Sequence, residues 1–343
     1  MQKKGFGVIG VGVMGQTHIK AYLSHPFAEL VAISDINKER AKEVAQKYGI
    51  KRYYQNYREL LKLDEIQGVS IVTPDFAHTE ITLAALDAGK DILLEKPMAT
   101  TIEECAKIHK KVQEVKVKFM LDFHNRWNPP FVEAKKVIEK GEIGEIEYIY
   151  CRLNDTIFVP TKMISWAGKS TVNWFLASHC LDILMWLFED EVDSVYSVSK
   201  SKVLREKGID TPDLFTSILK FKRGGIANLE NSWILPETAP NVFDFKVEII
   251  GTQGALYIDT SHHRIMQKYT PQEANYPELL GNLVVHKKAI GFAVESIYHF
   301  IDCVVFDKEP LVGAEEGEKV TRVIAAIQES AKDSKVIKVK DIQ

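Results

Sequence analysis

The strongest constraint on the fold is the alternation of short apolar segments with helical patterns in the first third of the chain. Apolar segments at residues 6–9, 30–34 and 69–72 are each followed by helical periodicity, and segments 92–94 and 117–121 continue the series. Short apolar strands separated by helices are typical of a parallel sheet covered by helices on both faces. We therefore predict a doubly wound α/β domain at the N-terminus.

A glycine motif follows the first of these strands. Gly10, Gly12 and Gly15 match G-x-G-x-x-G and open a predicted helix, with Val13 and Met14 between the last two glycines. In this context the first glycine permits a tight turn, the second lets backbone approach a pyrophosphate, and the third lets the helix pack on the strand. The helix N-terminus adds N–H groups and a positive dipole end. The alternative is a turn of structural value only, and the context favours dinucleotide binding.

An acidic residue ends the second predicted strand. Asp35 stands where a carboxylate accepts hydrogen bonds from the adenosine ribose hydroxyls and repels the extra phosphate of NADP. The helix predicted at residues 38–48 has a better N-cap candidate in Asn37. Lys38 and Arg40 are near enough in sequence to accommodate a phosphate. NAD is the predicted cofactor, and NADP stays open.

The pattern changes near residues 122–126, where we place the boundary between a first domain, 1–123, and a second, 124–343. Longer alternating segments follow and indicate an α+β domain with a large open, mostly antiparallel sheet. Segment 172–188 is predicted to be a helix inserted before most of this sheet. The alternation leaves one sheet face that no C-terminal helix obviously covers, so a homodimer or homotetramer is expected. The predicted strands span residues 146–153, 192–203, 214–221, 226–233 and 245–250.

Composition limits the partners and the compartment. A formal net charge of -3 over 343 residues, with 27% charged residues, gives no basic excess of the type that binds nucleic acid. No stretch approaches the roughly 20 apolar residues of a membrane helix. Residues 1–4 lack the pattern of a secretory signal, so the cytoplasm is the expected compartment. The four cysteines are far apart, and His262, His263 and His286 have no metal-ligand spacing, so no metal is predicted.

With further motifs, these features resemble the Gfo/Idh/MocA oxidoreductases over essentially the whole chain. The most specific mark is Glu95-Lys96-Pro97, which follows an apolar strand at the end where open α/β sheets bind ligands. The resemblance implies a Rossmann domain followed by an α/β domain, NAD or NADP, a sugar or polyol substrate, and oligomers built through the large sheet. The other marks are the glycine motif, Asp35, Thr73-Pro74 with His78, Asn125-Arg126, Gly141-Glu142-Ile143-Gly144, and His179 with Asp182.

The resemblance also implies roles for particular residues. Thr73, Pro74 and His78 would lie beside the cofactor, and the Glu95-Lys96-Pro97 element would place a lysine near nicotinamide and substrate. A solvated surface lysine is the alternative for Lys96, and its position directly after a strand disfavours that interpretation. Core packing is the more frequent use of a tryptophan. By rough family position, the candidate substrate contacts are Arg126, Asn154, Trp166 and Trp233.

A histidine and a carboxylate share one face of the helix predicted at 172–188. His179 and Asp182 are three residues apart. Oxidation of an alcohol requires a base that takes the hydroxyl proton. Imidazole is suited to that task because its usual pKa, about 6.5, lies close to neutral pH. From the residues alone a satisfied core histidine is favoured, and the family resemblance reverses that preference. Lys96 and His179 are then predicted to carry proton transfer, with Asp182 orienting His179.

The sequence departs from the family at one point. Phe175 stands where dehydrogenases of this family commonly carry an aspartate, one helical turn before the histidine, and Ser170-Thr171-Val172 replaces the usual glycines. The substrate end is therefore expected to be more apolar.

Three functions are open at this stage. We predict an NAD-dependent dehydrogenase of a sugar, cyclic polyol or sugar derivative; the alternatives are an NAD-dependent glycoside hydrolase on the same scaffold and a non-catalytic NAD-binding regulator, which Lys96 and His179 disfavour.

Overall fold

The computed structural model describes residues 3–261, 266–272, 274–277 and 279–342, so His262 and His263 lie outside the described residues. The helices are α1 (Val13–Ser24), α2 (Lys38–Tyr48), α3 (Tyr57–Leu61), α4 (His78–Asp87), α5 (Ile102–Glu114), α6 (Pro129–Glu139), α7 (Ser178–Phe188), α8 (Val203–Glu206), α9 (Phe292–Phe306) and α10 (Ala314–Asp333). The strands are β1 (Lys4–Ile9), β2 (Ala28–Ser34), β3 (Arg52–Tyr54), β4 (Ile66–Ile71), β5 (Asp91–Glu95), β6 (Phe119–Asp122), β7 (Ile146–Thr156), β8 (Val192–Lys200), β9 (Leu214–Phe221), β10 (Ile226–Leu235), β11 (Phe243–Gly251), β12 (Ala255–Asp259), β13 (Lys268–Tyr269), β14 (Ala274–Asn275), β15 (Leu283–Val285), β16 (Lys288–Ile290) and β17 (Ile337–Lys338).

The chain divides into two compact units. The first runs to Trp127 and adds Leu280–Glu318, and the second contains Asn128–Leu279 and continues from Lys319. The sequence-based boundary, 1–123 and 124–343, differs because it leaves residues 280–318 with the second domain. The physical reason is hydrophobic packing: Phe300 of α9 is fully buried against Phe6 of β1, with ring centroids 6.1 Å apart.

The first unit is built on a six-stranded sheet in the order β3-β2-β1-β4-β5-β6. Every neighbouring pair is parallel. This confirms the predicted doubly wound sheet. The order reverses between β1 and β4, and the crevice at the carboxyl ends of such strands is where open α/β sheets bind ligands. Strand β3 was not predicted, because its three residues are only partly buried and carry no clear apolar signal.

The ends of α2 show how the local sequence determines where a helix of this unit begins and ends. The Asn37 side chain accepts a hydrogen bond from the Arg40 N–H, which caps the first turn as predicted. Gly49 follows the last turn with φ of 70°, a left-handed conformation that glycine adopts without strain. Both ends of α2 therefore follow from residues within the helix and next to it.

The second unit contains a seven-stranded sheet in the order β12-β11-β7-β10-β9-β8-β17. The β7–β10 pair is parallel and the other neighbours are antiparallel, so the predicted large, mostly antiparallel sheet is confirmed. One face packs against helices, as in the contact between Phe131 of α6 and Phe245 of β11 at 5.1 Å between ring centroids. Along β9, Phe215 and Leu219 are buried, whereas Thr216 and Ile218 are exposed on the opposite face.

None of the helices in the described part of the chain combines the length and the hydropathy that crossing a bilayer requires.

Candidate active site

The glycine loop between β1 and α1 has two positions that exclude a larger residue. Gly10 has φ of +92°, and a Cβ atom there would lie 2.4 Å from the carbonyl oxygen of Val72. A Cβ atom on Gly15 would lie 2.1 Å from the carbonyl oxygen of Gly10. These contacts show the close helix–strand packing that the glycine motif predicts.

Gly12 has a different reason for its identity. A Cβ atom at Gly12 would meet nothing within 4 Å, and no side chain caps α1 at this residue. The protein itself therefore does not require glycine here. The space beside the helix N-terminus suits an anionic group, which the first-turn amides and the helix dipole would stabilise. Val13 is exposed and Met14 half-buried at the same turn.

Asp35, the residue predicted to bind the adenosine ribose, also holds the glycine loop. It is buried, its Oδ2 accepts from the Val11 N–H at 3.1 Å, and its Oδ1 accepts from the Asn37 N–H at 2.9 Å. Each carboxylate oxygen has two acceptor sites, so ribose hydroxyls can still be bound. Arg40 Nη1 lies 3.6 Å from Oδ2. The acidic group, the open cradle at Gly12 and the free helix end together fit NAD.

His78 ties two predicted cofactor segments together. Its Nδ1 lies 2.7 Å from the carbonyl oxygen of Pro97, and its Nε2 lies 2.9 Å from that of Thr73. Burial lowers the pKa of His78, while the hydrogen bond to Pro97 opposes that effect. Both ring nitrogens face backbone carbonyl oxygens, and a neutral ring donates to one of them at a time, so His78 holds the loops after β4 and β5 rather than transferring protons. Thr73 Oγ1, next to Pro74, is buried and has no hydrogen-bond partner among the described residues, so it offers a polar atom to a bound ligand.

Lys96 directly follows β5, where Glu95 ends the strand. The Glu95 carboxylate is buried and accepts from His18 Nε2 at 3.1 Å. Burial alone raises the pKa of Glu95, but the hydrogen bond from His18, and then the positive charges of His18, His124 and Lys96, bring it down to about 2. Its expected contact with the cofactor stays a prediction.

The second unit carries His179 and Asp182 on α7. His179 is partly exposed and Asp182 is buried, one helical turn further on. The helix predicted at 172–188 is regular only from Ser178, because Asn173–Ala177 form a π-helical turn. Such turns insert one extra residue into a helix and are frequent at functional sites.

Asn173 is a residue that the sequence analysis missed. It lies in the π-helical turn, is almost completely buried, and its Oδ1 and Nδ2 have no hydrogen-bond partner among the described residues. An unsatisfied buried amide costs free energy, so such a group marks a place where water or ligand is expected. The available signal was a polar residue inside an otherwise apolar segment.

Aromatic rings surround the position of the family aspartate. Phe175 lies 6.0 Å from Trp166 and 6.4 Å from Trp233, measured between ring centroids. Trp233 is fully buried, and its Nε1–H donates to the carbonyl oxygen of Pro212 at 2.8 Å. The structure therefore assigns Trp233 to packing rather than to substrate contact. Trp166 is partly exposed and stays a candidate.

Asn154 does not join this group. Its Nδ2 donates to Glu230 at 2.7 Å. On the same strand, Cys151 faces Cys180 of α7, and this contact adds to the effect of burial in raising the pKa of Cys151. Successive side chains of a strand point to opposite faces, so Asn154 lies on the face away from α7. Asn154 Oδ1 is buried without a hydrogen-bond partner among the described residues, so the expected substrate contact stays a prediction, on the sheet face opposite the one that packs on α7.

Arg126 belongs to the first unit. It lies in the short 3-10 turn His124–Trp127 that follows β6, and it is partly exposed. The Trp127 ring lies 5.3 Å from His299 of α9, which fixes the end of this turn. Arg126 therefore stays a candidate for binding hydroxyl or carboxylate groups.

Comparison with known proteins gives the same assignment for both halves. A profile described as "Oxidoreductase family, NAD-binding Rossmann fold" matches residues 4–123, and one described as "GFO/IDH/MocA C-terminal domain" matches residues 131–257. The chain is 30% identical to scyllo-inositol 2-dehydrogenase (NAD(+)) of Bacillus subtilis over 308 residues, 89% of this chain and 87% of that protein. The chain belongs to the Gfo/Idh/MocA oxidoreductase family.

Two further relatives cover nearly the whole chain. Myo-inositol 2-dehydrogenase of Thermotoga maritima is 22% identical over 98% of each chain. The crystal structure of scyllo-inositol dehydrogenase from Lactobacillus casei with bound cofactor NAD(H) and scyllo-inositol superposes with a TM-score of 0.83 at 20% identity, over 99% of this chain and 100% of that one. This likeness confirms the fold of a Gfo/Idh/MocA oxidoreductase.

The two helix-side glycines should respond differently to substitution. Gly15→Ala should lower the free energy of unfolding of the unliganded protein by about 1–3 kcal/mol, because the added methyl group meets the Gly10 carbonyl. Gly12→Ala should leave that free energy nearly unchanged and weaken NAD binding about tenfold or more, because the methyl group enters the cradle. Denaturant unfolding and calorimetry measure the two effects. Equal NAD affinity for Gly12→Ala and wild type would contradict this account of the cradle.

Asp35 should set the cofactor preference. We expect NAD to bind at least about tenfold more tightly than NADP, which corresponds to about 1.4 kcal/mol, because the buried carboxylate repels a 2′-phosphate. Isothermal calorimetry with both dinucleotides measures this ratio. Tighter binding of NADP would show that Arg40 outweighs Asp35.

Proposed function

We propose that the protein is an NAD-dependent dehydrogenase that oxidises a hydroxyl-bearing carbon of a cyclic polyol, sugar or sugar derivative, with an inositol as the first candidate. The observation that carries the proposal is the position of Lys96 at the carboxyl end of β5, in the same sheet as the glycine cradle. The relatives named above act on inositols, and they are named as dehydrogenases rather than hydrolases.

The chain's own residues divide the proton chemistry. Bound NAD would supply the hydride acceptor. The Lys96 ammonium orients the substrate hydroxyl and stabilises the developing alkoxide, as preorganised cations do. His179 takes the hydroxyl proton as a neutral imidazole, and the Asp182 carboxylate orients that ring.

Phe175 and Trp166 favour a substrate with one apolar face. A six-membered polyol or pyranose ring presents C–H groups that pack on aromatic surfaces, while its hydroxyls need polar partners. We propose that Arg126 and the buried amide of Asn173 supply hydrogen bonds to those hydroxyls.

The direct test is to mix the protein with NAD and a panel of inositols, pyranoses and their derivatives, and to follow the absorbance of reduced nicotinamide. We expect reduction with at least one cyclic polyol or sugar. Release of an aglycone from a glycoside without net reduction of NAD would instead establish the hydrolase. Neither reaction with any panel member, despite NAD binding, would favour a non-catalytic regulator.

Removing either proton-transfer group should slow turnover. Lys96→Ala and His179→Ala are each expected to lower kcat by about 10² to 10⁴ while the affinity for NAD stays nearly unchanged. Lys110→Ala, at an exposed lysine of α5, is the matched control and should retain full activity. Near-normal turnover in His179→Ala would show that α7 is structural and that the base lies elsewhere.

We further propose a homodimer or homotetramer formed through the open sheet of the second unit. Large apolar side chains are exposed across its outer face, and Tyr196 and Ile218 are register partners on β8 and β9. Exposed apolar patches of this kind mark interfaces. The other exposed apolar residues in the sheet are Val198, Ile226, Ile250 and Tyr257. The expected cytoplasmic location stays a prediction.

Light scattering at micromolar concentration should give a mass of two or four chains. Ile218→Asp should shift the protein toward the monomer, because a carboxylate would be buried unpaired in the interface. Leu311→Asp, at a comparably exposed residue of the first unit, is the control and should leave the mass unchanged. A monomeric mass for the wild type would contradict the proposed interface.

A further inference from the structure

A chain of hydrogen bonds runs through the interior of the first unit and ends beside Lys96. The Tyr22 hydroxyl lies 2.7 Å from Ser70 Oγ, which lies 2.9 Å from His18 Nδ1, and His18 Nε2 lies 3.1 Å from Glu95 Oε1. All four side chains are buried. The residues come from α1, β4 and β5, so the chain is assembled by the fold rather than by local sequence.

The direction of these bonds follows from the Tyr22 end. Burial raises the pKa of Tyr22, so its hydroxyl keeps a proton, and Ser70 Oγ is the partner it has among the described residues. Tyr22 therefore donates to Ser70, and the remaining capacity of the Ser70 hydroxyl, one proton and one lone pair, serves His18 Nδ1. The other ring nitrogen, Nε2, faces the Glu95 carboxylate, which has only lone pairs to offer, so Nε2 carries a proton and donates to Glu95.

Asp122 is the second carboxyl of this region. It is the register partner of Glu95 on the neighbouring strand and is fully buried, with Oδ2 3.7 Å from His18 Nε2. Neither oxygen has a hydrogen-bond partner among the described residues. The Ser296 hydroxyl, which approaches from α9, donates to the carbonyl oxygen of Ala293 at 3.1 Å.

A buried carboxyl in this position is expected to hold a proton. Burial, and then the negative charge of Glu95, raise the pKa of Asp122 well above its usual value, and the positive charge of Lys96 opposes them only in part. Two neighbouring carboxyls in a dry site do not both ionise, because desolvation and mutual repulsion act together. The one that receives the His18 hydrogen bond carries the charge.

We propose that His18, Glu95 and Asp122 form a buried positioning unit for Lys96, in which Glu95 holds one negative charge, His18 orients that carboxylate by donating from Nε2, and Asp122 remains protonated. Lys96 stabilises the charge of Glu95, so by reciprocity Glu95 stabilises the ammonium form of Lys96. Lys96 then stays an ammonium over the working pH range, which makes it the group that orients the hydroxyl and leaves proton removal to another residue.

Two further histidines near Glu95, His78 and His124, do not disturb this balance, because burial lowers the pKa of each. His124, in the turn after β6, has its pKa lowered to about 4 by burial, so it is neutral near pH 7. The site oxygens and nitrogens of His18, Glu95 and Asp122 lie within 4.8 Å of one another, a spacing that could also hold a metal ion. The hydrogen bonds described above give His18 and Glu95 partners without an ion. Treatment with a chelator distinguishes this hydrogen-bonded arrangement from a metal site.

The kinetic consequence rests on the proposed dehydrogenase function and is tested with Glu95→Gln. Removing the charge should lower kcat about 10- to 100-fold and move the alkaline limb of the pH–rate profile to lower pH by about one unit or more, because the ammonium loses its stabilising carboxylate. Glu95→Asp keeps the charge but shortens the reach to His18, so it should lower kcat while keeping the alkaline limb. Asp91→Asn, at the amino end of β5, is the matched control and should change neither.

Two spectroscopic measurements test the charges without any substrate. Infrared spectra of the wild type should contain the band of a protonated carboxyl group. Subtracting the spectrum of each variant should show that Asp122→Asn removes this band and that Glu95→Gln retains it. The titration midpoint of Lys96 in protein labelled with ¹³C at lysine Cε, assigned with Lys96→Arg, should fall in Glu95→Gln and stay in Asp122→Asn. If wild type turns over no panel substrate, the proposed function fails and these two measurements still decide the inference.

Several results would overturn the positioning unit. These are a band lost in Glu95→Gln instead of Asp122→Asn, or a Lys96 midpoint that Glu95→Gln does not move. The same holds for an unchanged pH profile in an active Glu95→Gln enzyme. Loss of activity or of the His18 ring signals after chelation, restored by Zn²⁺, would replace the hydrogen-bonded arrangement with a metal site.

Discussion

The parallel pairing of β1, β4, β5 and β6 is the constraint on which the rest of the site depends. Parallel strands end at the same edge, so the residues that follow them in a chain of 343 are brought together there. The register places Ile9 beside Ile71 and Glu95 beside Asp122. The glycine loop, the Thr73 segment and Lys96 are consequently neighbours in the fold, although they are distant in sequence.

The same register places two carboxyl groups, those of Glu95 and Asp122, close together in the interior. In that position each charge loses most of its hydration. One proton on Asp122 and one hydrogen bond from His18 to Glu95 leave a single negative charge. That charge lies next to Lys96 in sequence, so the cation that we propose to orient substrate has a fixed counter-charge beside it. Reactivity and stability of the first unit therefore depend on the same buried groups.

Local features were predictable from the sequence. The glycine loop and the Asn37 cap depend on residues a few positions apart, and the structure has them as expected. Features that need strand phase or register were not predictable. Asn154 faces away from α7 because of a one-residue phase, and the pairing of Glu95 with His18 joins residues 77 positions apart.

Packing decided the other differences. Trp233 is of a residue type that often stacks on substrates, but its ring is fully buried and its N–H donates to the carbonyl oxygen of Pro212. Residues 280–318 belong to the first unit because α9 buries Phe300 against Phe6. No sequence motif in this segment predicts that long-range contact. The π-helical turn at Asn173–Ala177 likewise has no sequence pattern that separates it from an ordinary helix.

The central claim is that this site moves a hydride from a substrate carbon to NAD. Incubation with NAD and a cyclic polyol deuterated at its ring carbons, followed by mass spectrometry of the nicotinamide product, measures that transfer directly. The account predicts reduced nicotinamide one mass unit heavier than the product formed from unlabelled substrate, and about 10² to 10⁴ times slower formation of that labelled product in His179→Ala. Reduced nicotinamide without deuterium, or unchanged NAD with a panel substrate that is nevertheless consumed, would contradict it.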